Sequence, residues 1–147
     1  MISPELISPI DPIAADLKCE KASSGEKTIV LFSRDIDFCV SLQLLLENRY
    51  HVVTTTDPDM ILLLAKTFGA SLIVADALPS EQMRRRFEFV KRRHPAPAIM
   101  MFYVSYPENN RFKEMFRATV DALFSKPLDL ADVMESIDTL MRRTPCD

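Results

Sequence analysis

From residue 28 onward the apolar positions of this chain alternate between two rhythms. Short runs rich in apolar and β-branched residues fall at residues 28–32, 50–55, 72–75, 98–102 and 122–124. Runs of that kind fit strands covered on both faces. Between them, apolar residues recur every three or four positions, the period of an amphipathic helix. The first such stretch puts Phe38, Leu42, Leu45 and Leu46 on one face, and the last aligns Leu130, Val133, Met134, Ile137 and Met141. Helices are predicted over residues 81–93 and 108–118 as well. Another is opened by the cap-and-proline pair Asp57-Pro58 and closed near Gly69.

Five strands, each followed by a helix, predict an α/β fold, a doubly wound five-stranded parallel sheet. Crossovers in such sheets are right-handed, and ligands gather beyond the carboxyl ends of the strands. Phe32-Ser33-Arg34, Ala75-Asp76 and Ser125-Lys126 all fall at those ends, so the architecture alone brings them to one edge. A carboxylate and an ammonium group meeting there would suit the handling of a phosphoryl group.

The 147 residues divide into an N-terminal extension, residues 1–27, a single folded domain, residues 28–143, and a tail, residues 144–147. Pro4, Pro9 and Pro12, the near repeat of Ile2-Ser3-Pro4 in Ile7-Ser8-Pro9, and a polar stretch up to Lys27 mark the extension. It reads as a loosely packed leader or a docking peptide. The apolar stretch of residues 60–65 is far too short to cross a bilayer, and no basic start makes the N-terminus a signal peptide. Cys19, Cys39 and Cys146 are odd in number and lack metal-site spacing, so a reducing cytoplasm is the expected location. A net charge of −3 gives no push toward nucleic acid or membrane. His51 and His94 have no partner at ligand or triad spacing. With only Gly25 and Gly69 there is no phosphate-binding loop, which excludes most nucleotide enzymes of this architecture and argues against a flavin carrier. No metal or other cofactor is expected, and no enzymatic activity is read from these residues.

The body, residues 28–142, resembles the receiver domain of two-component response regulators. The resemblance is carried by Asp76 at the end of its apolar run with Pro79 just beyond, by Ser125-Lys126-Pro127 before the amphipathic last helix, and by Tyr50-His51-Val52-Val53 as a second strand. It implies a flavodoxin-like strand order, 2-1-3-4-5. It also implies that Asp76 is the phosphoacceptor, that Lys126 pairs with phosphoryl oxygens, and that an acidic pair after the first strand helps hold magnesium. A hydroxyl on the fourth strand and an aromatic on the fifth would form the switch.

This chain departs from that pattern at four places. Ser33 and Arg34 stand where the acidic pair belongs, with Asp35 one residue late. Phe102 replaces the switch hydroxyl, with Ser105 three residues further on, and Leu123 replaces the switch aromatic. Pro79 follows Asp76 one residue early. A guanidinium in the metal's place is expected to ion-pair with Asp76, and Phe102 and Leu123 are expected to pack together as core.

The expected function is therefore that of a stand-alone, degenerate pseudo-receiver: a signalling interaction module without magnesium-dependent phosphorylation, with no output domain after Asp147. The alternative is a working phosphoacceptor, phosphorylated on Asp76 by a histidine kinase, in which Asp35 swings in to ligate magnesium. By the resemblance, a protein partner such as a histidine kinase, or a second copy, would use the fourth helix, last strand and last helix, where Phe112, Met115 and Phe116 lie. The third helix is strongly basic, with Arg84-Arg85-Arg86 and Lys91-Arg92-Arg93-His94. Its simplest reading is a solvated face with Met83, Phe87 and Val90 turned inward; the other is a dock for an acidic partner or RNA.

Overall fold

A computed structural model describes residues 26–104 and 110–143; Ser105, most of the extension, the tail and the Phe112 side chain lie outside the described residues. The elements are β1 (Thr28–Ser33), α1 (Ile36–Leu46), β2 (His51–Thr55), α2 (Ile61–Phe68), β3 (Leu72–Asp76), α3 (Glu81–Lys91), β4 (Ala98–Val104), α4 (Asn110–Arg117), β5 (Ala122–Lys126) and α5 (Leu130–Arg143). All strands are parallel, in the order β2-β1-β3-β4-β5, the flavodoxin-like arrangement. No helix among the described residues is long and apolar enough to cross a membrane.

Period-two alternation sorts the strands into two cores. Ile29, Leu31, Leu72, Val74, Met100 and Phe102 face α1 and α5, where they meet Cys39, Leu42, Leu46, Val133 and Ile137. Val30, Phe32, Ile73, Ala75, Ile99 and Met101 face the other way, onto Ile61 of α2, Met83, Phe87 and Val90 of α3, and Phe116 of α4. The inward stripe of α3 is thus Met83, Phe87 and Val90, as its spacing indicates. On α1 the buried stripe is Cys39, Leu42 and Leu46, while Leu45 is exposed. On α5, Leu140 joins the core and Leu130 stays exposed.

Local signals act as their chemistry dictates. The Asp57 side chain accepts from the Asp59 N–H at 2.9 Å, and Pro58 opens a single 3₁₀ turn that leads into α2. Gly69 ends α2 in the left-handed region, φ 61°, where a glycine has no Cβ to strain. Ser80 caps α3, accepting from the Met83 N–H at 3.1 Å.

The β2 edge is tied to α5 through Tyr50, whose hydroxyl donates to Asp138 Oδ1 at 2.6 Å while Arg49 pairs with Oδ2 at 2.7 Å. Burial first, and then the bond to Asp138, push the Tyr50 pKa up to about 12. Because the folded pKa lies above the ordinary value of 10.0, the unfolded chain loses this proton first. The stability from neutral Tyr50 is complete below pH 10.0 and is lost as pH rises through about 12. Titration of tyrosinate absorbance is expected to show this late component, and Asp138→Asn should draw it toward the ordinary value. A Tyr50→Phe variant with the wild-type curve above pH 10.0 would overturn the assignment.

Candidate functional site

The three strand ends expected to converge do so. The register pairs Ser33 with Asp76 across β1 and β3, Asp76 with Phe102 across β3 and β4, and Val104 with Lys126 across β4 and β5. β3 and β5 run further than their apolar runs, so Asp76 and Lys126 are the last residues of strands rather than the first of loops. They border a cleft of about 910 Å³ at the carboxyl edge, whose walls also include Arg34, Asp35, Asp57, Asp59 and Arg86. A cleft at this place, where the strand order reverses about β1, is where doubly wound sheets bind ligands.

Both oxygens of Asp76 are engaged by the protein itself. Lys126 Nζ lies 2.6 Å from Oδ1, and the Ser33 hydroxyl donates to Oδ2 at 2.7 Å. The Asp76 side chain is 12% exposed and that of Lys126 29%, so the pair is largely shielded from solvent and its attraction only partly screened. The ammonium of Lys126 also sits 4.9 Å from the Phe38 ring centroid, a cation–π contact that fixes it from the α1 side. Phe38 in turn meets the Phe102 ring edge-on at 5.9 Å, linking the charged pair to the core beneath.

The expected Arg34–Asp76 ion pair does not form. Arg34 is exposed and has no ion pair among the described residues, although it lines the cleft. Strand parity explains the difference. Ser33 continues the Ile29 and Leu31 side of β1, Asp76 the Leu72 and Val74 side of β3, and Lys126 the Ala122 and Phe124 side of β5. All three therefore lean toward α1 and α5, and the next residue after Ser33 turns away. Parity corrects a second expectation too. Phe102 packs with Phe38 and Phe124 on one face, whereas Leu123, opposite Met101, belongs to the core on the other, so the two do not touch as a unit.

Asp35 is committed elsewhere. Its Oδ1 caps α1 by accepting the Phe38 N–H at 3.2 Å, and its own N–H donates to the Ser33 hydroxyl oxygen at 3.0 Å. Asp59 pairs with Arg86 across the cleft. Among the described residues, no three His, Cys, Asp or Glu side chains converge as a metal-binding group. The magnesium that a receiver fold implies wants several hard oxygens in octahedral array. The donors present here do not fit it, because Asp76 is already held by the Lys126 ammonium and the Ser33 hydroxyl, and Asp35 is turned to the cap of α1.

The sequence pattern placed Ser33 in the pocket without revealing its role, and it gave no sign of Cys39. Ser33 reads as a weak oxygen, yet it bridges the Asp35 N–H and the Asp76 carboxylate; its parity with Asp76 was the available signal. Cys39 looked incidental but is buried on α1 with its thiol 3.7 Å from the Ser33 carbonyl oxygen, and burial raises its pKa.

The fold has many known counterparts. No family model matches the sequence, and no curated protein matches it. Among solved structures, a pilus assembly-related protein from Burkholderia pseudomallei K96243 superposes with a TM-score of 0.68 at 17% identity, covering 82% of this chain and 93% of that one. A response regulator from Thermotoga maritima gives 0.68 at 11% identity, covering 80% and 98%. A CheY-like receiver domain protein from Methanospirillum hungatei JF-1 gives 0.65 at 23% identity, covering 80% and 95%. The described sheet and its helices therefore have the response-regulator receiver fold.

Proposed function

We propose that this chain is a degenerate receiver domain, a signalling module that works through its surface rather than through magnesium-dependent phosphorylation of Asp76. The observation that carries this reading is the double engagement of Asp76 by Lys126 and Ser33. A nucleophilic carboxylate must present a free oxygen to the incoming phosphorus, and in receivers a bound metal would neutralise the charge of transfer. Here one oxygen is held by an ammonium, the other by a hydroxyl, and the acidic pair is Ser33 and Arg34. Asp76 and Lys126 then act as an internal brace joining β3 to β5 at the sheet edge.

The partner class that fits is another signalling protein, a histidine kinase among them, in a reducing compartment that suits the free thiol of Cys39. The face of α4, β5 and α5 is the place for it or for a second copy, since β5 is a half-buried edge strand and Leu130 beside it is exposed. A second reading, a working phosphoacceptor, draws on the Lys126–Asp76 contact, which is the pairing that phosphoryl capture would require.

Incubation with acetyl phosphate and magnesium, read by intact mass, separates the two. Unchanged mass is expected. A stoichiometric gain of one phosphoryl group that maps to Asp76 would overturn the proposal in favour of the second reading.

A further inference from the structure

A second cleft, of about 580 Å³, opens at the opposite edge of the sheet, among the C-terminal ends of α2 and α3 and the loop into β4. Its floor is apolar, with Leu62 and the half-exposed Phe89, and its rim carries Lys66, Arg92, Arg93 and His94. Among the described residues, no acidic side chain lines it. The remaining cations of α3 are neutralised: Arg84 by Glu81 and Glu88, Arg85 by Glu81, Arg86 by Asp59, and Lys91 by Asp121. Lys66, Arg92 and Arg93 have no ion pair among the described residues, and all three converge on this cleft. Part of that surplus suits the helix C-termini. An exposed phenylalanine among unpaired cations, over an apolar floor, calls for an anionic occupant with apolar side chains.

The chain carries such a segment. Residues 2–16 contain Glu5, Asp11 and Asp16 and no lysine or arginine, with Ile2, Leu6, Ile7, Ile10 and Ile13 between them. It joins the domain at the same sheet edge. The Thr28 carbonyl accepts the Ser71 N–H at 2.9 Å, and Ser71 lines the cleft. A linker of residues 17–27 reaches at most about 40 Å when extended, more than enough to span neighbouring strands. A tether that short holds the segment at roughly millimolar effective concentration, so even a weak, charge-led contact is populated. We propose that the cleft between α2 and α3 is the docking site of the chain's own acidic N-terminal segment, residues 2–16.

The test uses the full chain with Ser8→Cys, Cys19→Ser and Cys146→Ser, spin-labelled at position 8, and reads paramagnetic broadening of backbone amides. Selective, several-fold attenuation is expected at Lys66, Gly69 and Arg93. Arg92→Glu with Arg93→Glu should abolish it; both side chains are exposed, so the fold should tolerate the change. Glu5→Lys, Asp11→Lys and Asp16→Lys in the segment should abolish it too, and combining the two sets should restore it. Raising the salt to about 0.5 M, where screening acts over a few ångström, should weaken it. Attenuation that persists through either charge reversal would reflect the tether alone and overturn the proposal. So would attenuation seen only between labelled and unlabelled chains, which would make the occupant a second copy.

Discussion

Replacing Phe102 by alanine is expected to cost about 3–5 kcal/mol of folding stability, the range for removing a large aromatic side chain from a packed core. Phe102 is fully buried on β4, one strand from the edge, and touches the rings of Phe38 and Phe124 edge-on at 5.9 and 6.2 Å. Each aromatic contact adds about 0.5–1.5 kcal/mol beyond the area it buries. The cavity cannot collapse easily, because β3 and β5 hold the strand on both sides. The effect should reach the site as well. Phe38 rests on Phe102 from α1 and also faces the Lys126 ammonium, so the variant should loosen the Lys126–Asp76 pair. Urea unfolding, with the midpoint shifted and the slope unchanged, measures the loss. A cost below about 1 kcal/mol would mean that Phe102 is far less tightly packed than its contacts indicate.

The second large effect comes from returning acid to the cleft. A Ser33→Asp, Arg34→Asp double variant places a carboxylate beside Asp76, since residues 33 and 76 are register partners and the serine hydroxyl already lies 2.7 Å from Oδ2. Two carboxylates that close repel, and only Lys126 is at hand to offset them. The variant should therefore lose about 1–3 kcal/mol without metal, the size expected when a satisfied polar contact becomes an uncompensated one. Magnesium should return much of it, about 2.7 kcal/mol when present at a hundred times its dissociation constant. The wild-type chain should show no magnesium-dependent shift. Thermal melts across a magnesium titration test both halves. If the variant is as indifferent to the ion as the wild type, residues 33 and 34 are not what keeps magnesium out.

Most of the architecture could be read from periodicity. Two rhythms located the strands and helices of the described residues, and the βα alternation predicted a parallel sheet, whereas the strand order came from the resemblance to receivers. Strand ends were harder, because Asp76, Val104 and Lys126 are polar or half-buried positions where an apolar run stops while the hydrogen-bonded ladder continues. The membership of the site was legible for Asp76 and Lys126, which architecture alone brings together. Its wiring was not. Charge suggested that Arg34 would seek Asp76, but a single step of pleat placed the neutral Ser33 there instead. The same step separated Phe102 from Leu123. Side-chain charge ranks attractions, whereas strand parity decides which of them are within reach, and parity needs the strand's last residue to be known.

The place of β1 has a consequence for how this protein comes into being. β1 is made first, yet its two neighbours, β2 and β3, lie later in the chain. During synthesis, a chain that has emerged only as far as α2 can pair β1 with β2 and cover one side with α1, but the other edge of β1 still lacks its partner. Until Leu72–Asp76 appears, one row of backbone groups has no strand to pair with, and Val30 and Phe32 have only α2 to cover them. That interval is when the nascent chain is most open to mispairing and to chaperone capture.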